Sequence, residues 1–225
     1  MYTRLGTVAK PYRVGFCLSG GGGLFQATVR HGSQLGIELA AGFAAKKDEA
    51  TFDRFCRDQG IPLCVIDQAD RRLFDEELTR RSIEARLDLI VLTFDKIIPP
   101  AMVEAYRGRI INMHPALLPA FRGPRPLEDA LQAGVRFAGA TMHEVDELVD
   151  HGPVIAQCVL GIGRDEPLES ISRRLYPLVK PMFLQTIAWF AQGRVEKDAA
   201  GRIWVKGARY GGFPISPEVE LEFRD

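Results

Sequence analysis

A chain of 225 residues can bury one sizeable core, and nothing in its composition asks for more than one domain with a small C-terminal appendage. Its 29 lysines and arginines balance 29 aspartates and glutamates, so it lacks the basic field that nucleic-acid binding draws on. No apolar run approaches a membrane span, residues 1–10 lack the apolar core of a signal peptide, and Cys17, Cys56, Cys64 and Cys158 stand singly. The expectation is a soluble cytoplasmic protein with reduced thiols, no structural metal and no nucleic-acid or membrane partner.

Tyr12 to Leu18 reads as a first buried strand running into Ser19-Gly20-Gly21-Gly22-Gly23, with a helix expected from Leu24. Glycines permit positive φ and close backbone approach, so amides around Gly21, Gly22 and Gly23 could cradle an anion such as a phosphate. A plain tight strand-to-helix turn is the other reading. The P-loop motif fails for want of Gly-Lys-Ser/Thr, and Phe25 replaces the third glycine of the dinucleotide fingerprint. A weak strand at Ile37 to Phe43, a helix from about Ala50 to Gln59 and a strand at Pro62 to Val65 follow. In the charged stretch Asp70 to Arg86, Leu73, Phe74, Leu78 and Ile83, with Leu87 beyond it, suggest a helix lying on a sheet, and Leu89 to Phe94 reads as the next strand. Such alternation predicts an α/β fold: a mainly parallel twisted sheet with helices on both faces.

Phe94-Asp95-Lys96-Ile97-Ile98-Pro99-Pro100 is an apolar loop, Met102 to Tyr106 a short helix, and Arg109-Ile110-Ile111-Asn112-Met113-His114-Pro115 a strand that stops at His114. Asn112 and His114, two residues apart, project from one face at the carboxyl end of that strand. An amide and an imidazole aimed at one point suit a developing oxyanion, although satisfied loop-entry residues would look the same. Pro115 to Pro126 is too rich in breakers for regular structure and should drape over the sheet edge, and a helix at Pro126 to Gln132 brings the chain back. Phe137 to Val145 and Val154 to Leu160 read as paired strands around an acidic loop, in which Asp150 before His151-Gly152-Pro153 is by itself a turn former. A long amphipathic helix at Pro167 to Phe190, interrupted by Pro177 and Pro181, precedes a terminal strand or hairpin around Trp204 and Tyr210.

Asn112-Met113-His114-Pro115-Ala116-Leu117-Leu118-Pro119, with Phe121 and Gly123, and the block Gly139-Ala140-Thr141-Met142-His143 with Asp150 to Gln157 together resemble the 10-formyltetrahydrofolate-dependent formyltransferases. Ser19-Gly20 and Tyr176-Pro177-Leu178-Val179 extend the likeness, which implies a catalytic domain at 11–195 and a C-terminal extension at 196–225. The resemblance implies transfer of formyl from 10-formyltetrahydrofolate to a primary amine of a small acceptor, with or without a phosphate. Glycinamide ribonucleotide is the first candidate, an amino sugar another, and a homodimer is left open. Asn112, His114 and Asp150 fall on the family's catalytic positions. Phe94, Lys96, Ile97, Ile98 and Val103 fall on the folate pocket, which Thr141, His143, Asp146 and Glu147 would close. Gly21, Gly22 and Gly23, with Arg122 and Arg125, fall on the acceptor side. Gly23-Leu24 replaces the Ser-Asn pair of the glycinamide ribonucleotide enzymes, and Phe121 to Pro126 is more like the tRNA- and sugar-directed enzymes and the formyltetrahydrofolate hydrolases. Hydrolysis of the donor is therefore the alternative activity, and a non-catalytic folate-binding module a further one. A metal hydrolase built on His114, His143, His151 and Asp150 matches no metal spacing.

Overall fold

A computed structural model describes residues 10–224. Strand and helix alternate through β1 (Tyr12–Leu18), α1 (Gly23–Leu35), β2 (Ile37–Ala45), α2 (Glu49–Asp58), β3 (Leu63–Ile66), α3 (Arg71–Glu84), β4 (Leu89–Thr93), α4 (Pro100–Ala105) and β5 (Ile110–His114). The second half adds α5 (Pro126–Gln132), β6 (Phe137–Glu144), β7 (Val154–Gly161), α6 (Leu168–Ala191), β8 (Val195–Lys197), β9 (Ile203–Val205) and β10 (Ile215–Ser216). The main sheet runs in the order β10-β7-β6-β5-β4-β1-β2-β3. β1 to β5 are mutually parallel, while β6, β7 and β10 are added by antiparallel pairing.

From β1 the chain moves outward to β2 and β3, then returns to the other side of β1 for β4. The carboxyl ends of β1 and β4 thus form a switch point, the edge where open α/β sheets take ligands. There the Ser19 amide donates to the Thr93 carbonyl at 2.8 Å and fastens the two strand ends together.

Alternation along β1 splits the core. Val14, Phe16 and Leu18 join α1 and α6 through Phe25, Phe183 and Trp189, whereas Cys17 faces the layer built by Phe74 and Leu78 of α3 and Met102 of α4. Asp70 caps α3, its carboxylate accepting from the Leu73 amide at 3.0 Å. Asp70→Ala should cost about 1 kcal/mol, read as a lower urea midpoint with an unchanged slope.

Two helices depart from the sequence reading. In α3 only Phe74 and Leu78 of the expected apolar set are buried within the helix, while Leu73 and Ile83 are 40% and 50% exposed. Phe74 and Leu78 stack four residues apart, but Leu73 and Ile83 lie off that stripe. The long helix α6 runs through Pro177 and Pro181 without interruption. Pro177 is exposed and Pro181 half-buried, on the less buried part of the helix, while Met182 to Phe190 are buried, and that burial outweighs the hydrogen bonds the prolines remove.

Beyond α6, β8 and β9 form a hairpin, Trp204 packs edge-on against Tyr210, and β10 returns to the main sheet beside β7. Lys197 Nζ donates to the nearly buried Glu144 carboxylate at 2.5 Å. Among the described residues no helix is long and apolar enough to cross a membrane.

Candidate active site

Ile110, Asn112 and His114 alternate onto one face of β5, and the antiparallel strand β6 sets His143 directly opposite Asn112 and Thr141 opposite His114. Four polar side chains therefore share one patch of sheet at the carboxyl end of β5. The loops that follow β5 and β6 fold over this patch.

His114 is 4% exposed, and its two ring nitrogens face two acceptors. Nε2 donates to the Phe121 carbonyl at 2.9 Å, and Nδ1 lies 3.5 Å from Asp150 Oδ2. A neutral ring satisfies only one of these partners, whereas an imidazolium satisfies both. The Nδ1 contact is longer than a closed hydrogen bond, so it does not fully engage that N–H.

His143 does the opposite work. Its Nδ1–H donates to the Glu144 carbonyl at 2.8 Å, leaving Nε2 with a lone pair that accepts from Asn112 Nδ2 at 3.4 Å and lies 3.7 Å from Asp150 Oδ1. Burial, the largest influence, holds its pKa below the usual histidine range against the pull of the Glu144 carbonyl and Asp150. As the folded-state pKa is depressed, the stability linked to His143 is complete above its ordinary value of 6.5 and is lost as pH falls below it. His143→Gln should therefore flatten the decline in urea midpoint between about pH 7.5 and about pH 5.

The Asp150 carboxylate, on a side chain only 10% exposed, thus sits between two imidazoles, and it also accepts from the Gly123 amide at 3.1 Å. Arg122 Nε donates to the Asp150 carbonyl at 3.0 Å. Asp150 and Phe121 are non-glycine residues in the left-handed region, with φ of 56° and 54°. Gly152 is forced by close approach, because a Cβ there would lie 1.8 Å from the Glu144 carbonyl oxygen.

Asn112, His114, His143 and Asp150 meet in one cluster, and the remaining expected site residues are spread around it. Thr141 is fully buried, donating to the Ala116 carbonyl at 2.7 Å and accepting from the Leu118 amide at 3.1 Å, which ties the loop after β5 to β6. Phe94 stacks on Phe74, Lys96 Nζ lies over the same ring, Ile98 and Val103 are buried, and Ile97 is exposed with its carbonyl accepting from Arg71 at 2.6 Å. Asp146 accepts from the Leu148 amide and Glu147 pairs with Arg107. Arg125 is exposed at the start of α5.

Gly22 caps α1 in the left-handed region, with no side-chain cap and no acidic residue in the first turn, so no side chain of the helix's own start caps its leading amides. A Cβ on Gly23 would lie 3.2 Å from the Tyr176 hydroxyl. Sequence reasoning did not single out Gln157, whose amide donates to Leu118 and Thr141, nor the Phe121 carbonyl on His114. The parity of Gln157 against Thr141 across β6 and β7 was the available signal for the first, while a main-chain carbonyl leaves none. His151 points to the Val149 carbonyl instead, and no group of His, Cys, Asp and Glu among the described residues could hold a metal ion.

The formyl transferase family matches residues 12–187. The chain is 38% identical over 138 residues, 60% of its length, to the trifunctional purine biosynthetic protein adenosine-3 of Drosophila melanogaster, and these residues span 10% of that relative. It is 30% identical over 198 residues to phosphoribosylglycinamide formyltransferase of Escherichia coli, covering 85% of this chain and 92% of the relative. Among solved structures, glycinamide ribonucleotide transformylase 1 from Symbiobacterium toebii superposes with a TM-score of 0.80 at 28% identity, over 87% of this chain and 94% of the other. A formyltetrahydrofolate deformylase from Pseudomonas syringae gives 0.79 at 25% identity, over 88% and 66%.

Proposed function

Because this chain belongs to the formyl transferase family, we propose that its site passes a formyl group from 10-formyltetrahydrofolate to the primary amine of a small acceptor, glycinamide ribonucleotide. The observation that carries this reading is the buried Asp150 carboxylate set between His114 and His143 beside Asn112.

Attack of the amine on the formyl carbon forms a C–N bond and creates an oxyanion and an ammonium. Asn112 Nδ2 and His114 Nδ1 supply N–H donors to the oxyanion, whose charge the ground-state carbonyl lacks, so their contribution is concentrated in the transition state. Asp150 accepts the ammonium proton and returns it to the folate nitrogen as the old C–N bond breaks, so the donor leaves as tetrahydrofolate and the acceptor keeps the formyl group. The Asp150 charge also supports the His114 imidazolium. Neutral His143 offers a lone pair that fixes which end of the Asn112 amide faces the chemistry.

The donor ring is assigned to the loop from Phe94 to Ile98 over Val103, with residues 141–147 on its other side. The acceptor phosphate is assigned to the amides of Gly21 to Gly23 at the start of α1, with the Tyr176 hydroxyl beside Gly23, and Arg125 is proposed as a further acceptor contact. A second reading, hydrolysis of the donor, is favoured by the glycines that leave this cradle without its own side-chain donors and by the likeness to the deformylase.

Release of tetrahydrofolate and formate from 10-formyltetrahydrofolate, measured with and without glycinamide ribonucleotide, tests both. Tetrahydrofolate that appears only with the nucleotide, without formate, is the expected result. Formate in both reactions would replace transfer by hydrolysis.

A further inference from the structure

The site contains two strained non-glycine residues, Phe121 and Asp150, carried by different loops, and one short segment bonds to both His114 and Asp150. The Phe121 carbonyl accepts from His114 Nε2 at 2.9 Å. The next residue, Arg122, donates through Nε to the Asp150 carbonyl at 3.0 Å, and the amide of Gly123 donates to Asp150 Oδ2 at 3.1 Å. Three consecutive residues thus hold the ring of one proposed catalytic group and both the main chain and the carboxylate of another.

The segment itself is anchored. Thr141 and Gln157, projecting from β6 and β7, bind the main chain of Ala116 and Leu118 at 2.7–3.1 Å, so the loop leading to Phe121 is fixed to the sheet. The Asp150 loop, by contrast, exposes Leu148 and Val149. It is the loop after β5, rooted in the sheet, that offers the fixed reference.

We propose that Arg122 is a positioning residue: through the Asp150 carbonyl it holds the loop after β6 closed, and so sets how near the Asp150 carboxylate comes to His114. This rests on the catalytic reading of His114 and Asp150 given above, and it gives Arg122 a role distinct from that of an acceptor contact. The guanidinium suits the task because it is planar, always charged and donates in a fixed direction. An ammonium at the same place can still donate to the carbonyl, but less directionally.

The test measures kcat and both KM values for Arg122→Ala and Arg122→Lys in the full chain, with 10-formyltetrahydrofolate and either glycinamide ribonucleotide or water as acceptor. His114→Ala and thermal midpoints run alongside. A misplaced carboxylate should lower kcat of Arg122→Ala about 10- to 100-fold with both KM values within about twofold. Arg122→Lys should recover part of the loss, and neither variant should shift the thermal midpoint appreciably, since the side chain is exposed. Unchanged kcat in Arg122→Ala while His114→Ala is inactive would overturn the positioning role alone. A loss confined to acceptor KM and not restored by lysine would also overturn it, making Arg122 a substrate contact. Full activity of His114→Ala would remove the catalytic reading and the positioning role together.

Discussion

Asp150→Asn is expected to lower kcat by at least ~100-fold, with little change in donor KM, because proton transfer and charge support act mainly in the transition state. The substitution is close to isosteric. An asparagine oxygen can still accept from the Gly123 amide, and the main-chain carbonyl can still receive Arg122, so the loop keeps its attachments. What disappears is the negative charge between His114 and His143 and the oxygen that can take a proton. Steady-state tetrahydrofolate release, with donor concentration varied across KM, separates the two effects. Near-normal turnover would take Asp150 out of the chemistry, and a rise in donor KM with unchanged kcat would make it a binding group.

Gly152→Ala is expected to damage both stability and turnover. Its Cβ would sit 1.8 Å from the Glu144 carbonyl oxygen and 2.7 Å from the Glu144 carbonyl carbon, and these are main-chain atoms at the end of β6 that cannot rotate aside. Overpacking of this kind costs about 1–3 kcal/mol or more. The strand is held by its neighbours, so the loop must move, and Asp150 two residues away moves with it. The expected outcome is a lower urea midpoint together with a fall in kcat of about 100-fold, the scale of a displacement near 1 Å. Gly161→Ala, at the end of β7 with open space around its Cβ, is the control and should change stability by less than about 0.5 kcal/mol. Normal turnover in Gly152→Ala would mean that the loop position matters less than the cluster geometry implies.

Much of this architecture was legible because the relevant signals are local. The Asn-Met-His-Pro stop marked the end of β5, and simple alternation placed Asn112 and His114 on one face before any partner was known. The glycine run marked the turn into α1, which begins at Gly23, one residue earlier than expected. Pairing is the harder part. That His143 would stand opposite Asn112 depends on the register of β5 against β6, fixed by strands that are distant in sequence. The joining of Phe121, Arg122 and Gly123 to His114 and Asp150 is main-chain chemistry, to which side-chain patterns are blind. Pro177 and Pro181 misled in another way, since local preference for a break was outweighed by the burial of the residues that follow. Ile215 and Ser216, set between Pro214 and Pro217, carry no periodic signal at all, and their strand exists only because β7 receives it.

That last pairing covers part of what would otherwise be an open sheet edge. Without β10, the outer side of the eight-residue strand β7 would present unpaired main-chain donors and acceptors, a template on which another chain could build. β10 occupies this border with two paired residues, and the Pro214 carbonyl takes the Val159 amide at 3.0 Å. A strand of two residues flanked by prolines is itself too short and too poor in donors to recruit a further strand. The tail thus ends the sheet, and its removal would favour self-association before it altered anything at His114.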